Sequence, residues 1–229
     1  MLEHKGKATI IAAVAVTLLL CADRALSAVQ LEKYVARVGI SSPQAADVSV
    51  SVSVKGRATT ANSESLLCRL VKYPQQEIDK LQAEDSNGRV LPVTMLSLDG
   101  AVEARLPAGY EVPTQYSVRY SVTSPRQLRR IPLAVVDVPP SASEGAIEIQ
   151  TALASDYVSV GTSFPAMEWR DHQHGSTHLG SVPSVVVLNV KHIRDVSSFD
   201  RLFDVSTIST LLMFSFVLIS SFVWYLRSR

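Results

Sequence analysis

Three histidines lie within seven residues and are the clearest candidates for chemistry in the chain: His172, His174 and His178. On a strand, His172 and His174 would point the same way, and Gly175 would let the third histidine fold back toward them. Asp171 precedes the group, and imidazole and carboxylate groups are ligands for zinc or copper. Because the segment is polar and carries no known metalloenzyme signature, a solvated loop is the alternative to an open metal-binding or pH-responsive site.

No other group of residues predicts catalysis. The patterns typical of serine hydrolases, phosphate-binding loops, dinucleotide-binding turns and paired catalytic carboxylates are missing from the sequence. The net charge of +1 gives no electrostatic reason to expect nucleic-acid binding. We therefore expect a protein that is not an enzyme and that does not bind nucleic acid.

Both ends of the chain are apolar and predict export and anchoring. Lys5 and Lys7 precede a short apolar run followed by small residues, which is typical of a secretory signal peptide over residues 1–28. An uncleaved N-terminal anchor is the alternative. Residues 205–226 contain no charge, proline or glycine. About 22 helical residues are enough to cross a hydrocarbon core of about 30 Å, so this stretch predicts a transmembrane helix.

Charge sets the expected orientation of that helix. Arg227 and Arg229 follow it and predict a cytoplasmic tail of residues 227–229, with the preceding domain on the outer side. Only Cys68 would remain after signal cleavage, and no N-glycosylation acceptor occurs. These features favour a single-pass protein of the bacterial inner membrane, with a periplasmic domain, over the eukaryotic secretory pathway.

One face of the predicted transmembrane helix repeats with spacings of four and three residues, as in a heptad. Small and hydroxyl side chains on such a face let helices approach and form hydrogen bonds in lipid. We therefore expect an integral-membrane partner along this seam, although lone helices also tolerate serine and threonine. The seam consists of Ser206, Thr210, Met213, Val217, Ser220 and Trp224.

Between the two ends, alternating patterns predict strands. The four valines from Val48 to Val54 alternate with serines, which places the valines on one buried face. A looser alternation runs from Tyr34 to Ile40. The alternation from Ile78 to Ala83 predicts a strand, with a helix from Gln75 to Glu84 as the alternative. Asn87-Gly88 and Asp99-Gly100 are typical of hairpin turns between such segments.

The stretch from Pro113 to Val122 places a proline and a threonine before Tyr116, and alternating valine and tyrosine residues follow. It resembles the late strand of fibronectin type III domains and related immunoglobulin-like sandwiches. The resemblance covers about ten residues and implies a β-sandwich in which the Tyr116 hydroxyl group bonds back across a loop.

These patterns together predict an all-β domain of the immunoglobulin-like sandwich class. We expect two small lobes, residues 29–124 and 125–204, divided at the arginine-rich segment 124–130, which has the composition of a linker. A single larger sandwich is the alternative. Cys68 lies in an apolar run and is expected to be a buried thiol, with an intermolecular disulfide as its alternative.

The predicted function is that of a non-catalytic, single-pass accessory or assembly subunit of a membrane protein complex. Its sandwich would dock on a partner through edge strands while its helix packs in the membrane. The alternative is an extracytoplasmic binding protein that responds to metal or pH through His172, His174 and His178. Zinc or copper is the only cofactor that the sequence suggests.

Overall fold

The computed structural model describes residues 29–56, 64–138, 145–171, 173–196 and 213–219. These residues form strands, one short 3-10 helix (Ile193–Asp195) and one helix over 213–219, so the predicted all-β class of the domain is confirmed. The strands are β1 (Gln30–Ser42), β2 (Ala45–Lys55), β3 (Ser65–Val71), β4 (Glu77–Asp85), β5 (Thr94–Leu98), β6 (Ala101–Leu106), β7 (Gln115–Thr123), β8 (Arg130–Pro132), β9 (Ile147–Leu153), β10 (Tyr157–Ser159), β11 (Glu168–Trp169), β12 (His174–Leu179), β13 (Val185–Val187) and β14 (Val190–His192).

A sheet of seven strands, in the order β11-β12-β9-β1-β2-β7-β4, forms one layer. β1 and β9 run parallel, and the other neighbouring strands are antiparallel. In β2 the valines are buried and the serines between them are half-buried, as the alternation predicts. Residues Glu77–Asp85 form a strand, β4, and not the alternative helix over 75–84. The large sheet therefore presents one apolar face to the core.

Smaller sheets pack on that apolar face: β3-β6-β5, β8-β13 and β10-β14. Three buried tyrosine hydroxyl groups join the two layers. Tyr34 donates to the carbonyl oxygen of Ala134 at 2.9 Å, and Tyr120 donates to that of Pro132 at 2.8 Å. Tyr116 donates to the carbonyl oxygen of residue 67 in β3 at 3.2 Å. The Tyr116 bond thus crosses between sheets and spans 49 residues of sequence.

Strands from both predicted lobes share one sheet and one core. β9 lies beyond residue 124, yet it pairs with β1 from Tyr34↔Ile147 to Ile40↔Leu153. The segment 124–130 is also held in place, because the Leu128 amide donates to the carbonyl oxygen of Pro43 at 2.6 Å. This pairing fits the single larger sandwich better than two lobes divided at residues 124–130.

The prediction of a single-pass membrane protein with a cytoplasmic C-terminus is wrong. Among the residues that the structure describes, no helix is both long and apolar enough to cross a membrane. The described part of the predicted span is a helix of seven residues, 213–219.

Several predictions fall on residues outside the described ranges. These are the signal peptide over 1–28, the tail over 227–229, and four positions of the seam, Ser206, Thr210, Ser220 and Trp224. The two remaining seam residues, Met213 and Val217, are exposed on the helix 213–219.

Cys68 is buried in β3 and is a free thiol, in agreement with the buried-thiol prediction. Burial raises the pKa of its thiol to about 12. Because the thiolate is the reactive form, Cys68 is inert toward disulfide exchange at neutral pH in the folded protein.

Candidate functional site

The histidine segment forms a hairpin of β11 and β12, and not a loop without secondary structure. Its strands pair through Glu168↔Ser176 and Trp169↔Gly175. A side chain at position 175 would place its Cβ atom 3.0 Å from both the Trp169 ring and the Thr151 hydroxyl oxygen. A larger residue there would require one of these two side chains to shift by a few tenths of an ångström, so glycine suits the position where the tryptophan packs across the hairpin.

Asp171 organises the turn of this hairpin. Its Oδ1 atom accepts hydrogen bonds from the backbone amides of Gln173, at 2.8 Å, and His174, at 2.6 Å. The Nδ1 atom of His174 lies 3.0 Å from Oδ2 of Asp171. The Gln173 amide, followed by the His174 ring and amide, lowers the pKa of the Asp171 carboxyl group. Each of these contacts is explained by the local turn.

The structure does not bring the described histidines together. His174 lies opposite Ala152 and His178 lies opposite Glu148, on the same face of β12. Four residues of a strand extend about 13 Å, and the side chains stand roughly perpendicular to the sheet. His172 lies outside the described residues. Among the residues that are described, no group of three or more His, Cys, Asp or Glu side chains could hold a metal ion.

The feature that sequence reasoning missed is the open edge of the small sheet, β5. β5 pairs with β6 in unbroken register from Thr94↔Arg105 to Leu98↔Ala101, and none of the other described strands pairs with it. All five of its residues are exposed. Its large side chains are apolar: Met95, Leu96 and Leu98 are 42%, 37% and 48% exposed. The sequence signal was present, since residues 90–98 contain no charged residue.

An unpaired row of backbone N–H and C=O groups beside apolar side chains is a template for another strand. The Asp99-Gly100 hairpin turn holds β5 on β6, as predicted, and Gly100 has the positive φ of 74° that this turn requires. β6 is in turn held by β3, whose Arg69 exchanges two backbone hydrogen bonds of 2.9 Å with Val135. The small sheet that carries the open edge is therefore held in place by hydrogen bonds to the rest of the domain.

β4, at one edge of the large sheet, is built differently. Its pairing with β7 is interrupted between Asp79 and Gln82, and Lys80 there has a φ of 56°. Part of its outer side is covered, because the amide of Leu91 donates to the carbonyl oxygen of Ala83 at 2.8 Å. Most of its exposed side chains are charged or polar. β11, at the opposite edge, is only two residues long. Bulges, charges and short length are the usual protections of an edge strand.

One charged network lies beside β5. The Glu103 carboxylate accepts hydrogen bonds from Arg69 Nε at 2.9 Å and from Arg105 Nη2 at 2.7 Å. The hydrogen bonds from Arg105 and then from Arg69 hold the pKa of the Glu103 carboxyl group below its usual range. Only 2% of the Glu103 side chain is exposed, because the guanidinium groups surround it. Glu103 lies directly opposite Leu96, so the strand next to the open edge presents no unpaired carboxylate.

No family model matches the sequence, and no curated protein matches it either. Three solved structures illustrate what the fold is similar to. An aminopeptidase N family protein from Idiomarina loihiensis has a TM-score of 0.41 and 12% identity, with 74% of this chain and 34% of that chain covered. Leukotriene A4 hydrolase from Saccharomyces cerevisiae has a TM-score of 0.40 and 9% identity, with 71% and 29% covered.

An M1 zinc metallopeptidase from Deinococcus radiodurans has a TM-score of 0.33 and 12% identity, with 71% of this chain and 42% of that chain covered. This chain therefore spans less than half the length of each of the three proteins. Similarities of this size carry no conclusion about activity.

Proposed function

We propose that this protein is a non-catalytic accessory or assembly subunit whose β-sandwich docks on a partner protein through the open edge of β5. The observation that carries the proposal is the contrast between this uncharged, apolar strand, whose outer edge pairs with none of the described strands, and the protected β4. The partner supplies an extended strand. Its main chain satisfies the exposed N–H and C=O groups, and its side chains cover the apolar residues of β5.

The chemistry of the docking surface favours a protein strand over a small molecule. The exposed groups lie along a line and not around an enclosed cavity, as ligand pockets require. Leu96 and Leu98 lie on one face of β5 and Met95 on the other, which suits a strand with apolar residues on both faces. Exposed apolar area of this kind contributes about 25 cal/mol per Å² when it is removed from water.

The locations of the perturbed ionisable groups support a non-catalytic role. Perturbed pKa values often mark active sites. Here desolvation by burial raises the pKa values of Tyr34, Tyr116 and Cys68, all within the core. Glu103 is held by hydrogen bonds from two arginines, and Asp171 by backbone amides and the His174 ring. Packing explains each shift without a reaction. The proposal also assigns the domain to the immunoglobulin-like class of β-sandwich, because the strand that contains Tyr116 resembles the late strand of such domains. Domains of this class commonly serve in binding.

A second candidate is a pH-responsive binding protein that uses the β11–β12 hairpin. The contact between Asp171 and His174 favours it, because the Nδ1 atom of His174 lies 3.0 Å from Oδ2 of Asp171 and histidine is the usual side chain of pH-responsive sites. Both side chains are more than half exposed, so the pair responds to solvent directly. We rank this candidate second, since the described part of the hairpin offers no converging set of ligands.

The experiment that tests the first proposal introduces a lysine into β5 or into β4 and compares how each change affects partner binding. Tagged full-length protein is isolated from its native cells as wild type, as Leu96→Lys and as the matched control Gln82→Lys, in the exposed part of β4. We expect Leu96→Lys to reduce co-purification of the partner about tenfold, the factor given by 1.4 kcal/mol, and Gln82→Lys to leave it unchanged. Equal co-purification in all three proteins, with unchanged melting temperatures, would overturn the proposal.

A further inference from the structure

We infer that the strand that completes the β5 edge is β5 of a second copy of this chain, giving a symmetric dimer. This inference rests on the proposed function, because it names the partner of the same edge. A two-fold axis perpendicular to the small sheet would pair the two strands antiparallel and join the sheets edge to edge. The result is one sheet of six strands, β3-β6-β5 continued by the same three strands of the second copy in reverse order.

The sequence of β5 is self-complementary in this arrangement. With Leu96 on the axis, it lies opposite Leu96 of the second copy, and Thr94 lies opposite Leu98. Met95 lies opposite Ser97, and the reverse pairs repeat these contacts. Residues that face each other in an antiparallel pair lie on the same side of the sheet. Each of the five residues of β5 therefore faces a residue of the second copy, and both leucines contact that copy on one face of the sheet.

Charge favours the same pairing. β5 contains no charged residue, so bringing it against itself opposes no like charges. Beyond its end, Asp99 would lie opposite Val93 of the second copy. The nearest carboxylate within the sheet, Glu103, is already paired with two arginines. Nothing within the strand opposes close approach of the two copies.

The same operation applied to β4 fails, which makes the inference specific to one edge. Pairing β4 with itself around Leu81 would place Glu77 opposite Asp85 of the second copy, twice. It would also bring together two strands that are bulged between Asp79 and Gln82. Like charges directly opposite each other destabilise a strand pair, and a bulge interrupts the ladder.

The contact is short, so we expect a dimer whose formation depends on concentration. Five residues of paired strand bury less surface than the roughly 1,600 Å² of a typical stable interface. The register of the pairing, and not the affinity, is therefore the most specific consequence to test.

Engineered cysteines test that register in the full-length protein. In a Cys21→Ser background, Leu96→Cys places two thiols across the two-fold axis, where facing Cβ atoms lie about 4.5–5.5 Å apart. This is close to the separation that a disulfide needs. Thr94→Cys is the matched control, since its thiols would lie about 13 Å apart along the strands. The native Cys68 is buried and does not compete.

Under mild oxidation, we expect Leu96→Cys to form a cross-linked dimer and Thr94→Cys alone to remain monomeric. A mixture of Thr94→Cys and Leu98→Cys should cross-link between unlike copies. Equal cross-linking of Leu96→Cys and Thr94→Cys, or none of either, would overturn the inference. If Leu96→Lys still releases a different partner protein in that case, the proposed function stands without the dimer. If Leu96→Lys releases nothing, both are overturned.

Discussion

Two edge strands of this molecule, β4 and β5, differ in how their outer edges are protected. β4 is bulged between Asp79 and Gln82, is charged, and receives a hydrogen bond from Leu91 along part of its outer side. β5 has unbroken pairing with β6, no charge and five exposed residues. Edge protection is the general rule for strands in soluble surroundings. A chain that protects one edge and leaves the other open is best explained by a partner at the open one.

The difference between the edges also has a structural basis in the core. β5 contributes no buried side chain, and its position depends entirely on β6, whose Val102, Ala104 and Leu106 are buried. β4 buries Ala83 in the hydrophobic core. β5 is therefore attached to the core through β6 but buries no side chain in it, so another strand can pair with β5 without disturbing the fold.

The largest effect should come from weakening the support beneath β5. Leu106→Ala removes a fully buried side chain from β6, and such truncations cost about 2–5 kcal/mol. Leu98→Ala, on the exposed edge strand, should cost less than about 1 kcal/mol in the isolated chain. Urea unfolding measures both. A similar loss for the two variants would show that β5 is already buried within one copy, and it would remove the contrast between the edges.

The next largest effect concerns the hydrogen bond between Tyr116 in β7, the neighbour of β4, and β3, which belongs to the same small sheet as β5. Tyr116→Phe removes the hydroxyl group that donates to the carbonyl oxygen of residue 67. We expect a loss of about 1–2 kcal/mol in the free energy of unfolding, because a buried acceptor loses its partner. Assembly through β5 should not change. A stability within error of wild type would mean that the acceptor finds another donor.

Measuring stability as a function of pH tests the role of Glu103 in β6, the strand next to β5. The pKa of Glu103 is below its usual range in the folded protein, because Arg105 and Arg69 donate hydrogen bonds to its charged form. Its contribution to stability is therefore present above the usual pKa of a glutamate and is lost as the pH falls through the lowered value of the folded protein. Glu103→Gln should destabilise the protein at pH 7 and have a smaller effect near pH 3. A difference that is constant with pH would contradict this assignment.

The smallest effect should come from the histidine hairpin. Asp171 has a lowered pKa, so its contribution also disappears only as the pH falls below the usual range of an aspartate. Both members of its pair with His174 are exposed. Asp171→Asn should leave the melting temperature at pH 7 within about 1 °C of wild type and leave assembly unchanged, since exposed pairs contribute little. Loss of assembly in this variant would favour the pH-responsive candidate.

Much of the fold could be predicted from local alternation. The valines of β2 and the apolar positions from Tyr34 to Ile40 in β1 are buried as the pattern indicates. Period-two alternation also identified β4, where helix-forming residues competed with the strand pattern. These predictions succeed because burial of one face depends on residues close in sequence.

Long-range pairing could not be predicted in the same way. The parallel pair of β1 and β9 joins residues more than a hundred positions apart, and no local pattern at Tyr34 indicates Ile147. For the same reason the arginines of segment 124–130 indicate a linker, whereas the Leu128 amide donates to the carbonyl oxygen of Pro43 and holds the segment on the sandwich. The histidines are close in sequence, whereas β12 separates His174 from His178 along its length.

The open edge was missed for a related reason. The sequence of β5 predicts a strand, but exposure depends on whether a neighbour exists, and that is decided by the whole topology. The absence of charge from residues 90–98 was the one local signal. Read together with an expected edge position, such a run points to a docking strand.

Hydrogen–deuterium exchange of the full-length protein, in its native assembly and after dilution to the free chain, tests the central claim most directly. We expect the outward-facing backbone amides of β5 to exchange slowly in the assembly and quickly in the free chain, while the exchange of β4 stays the same in both. Protection that appears at β4, or β5 amides that exchange equally in both states, would contradict the account.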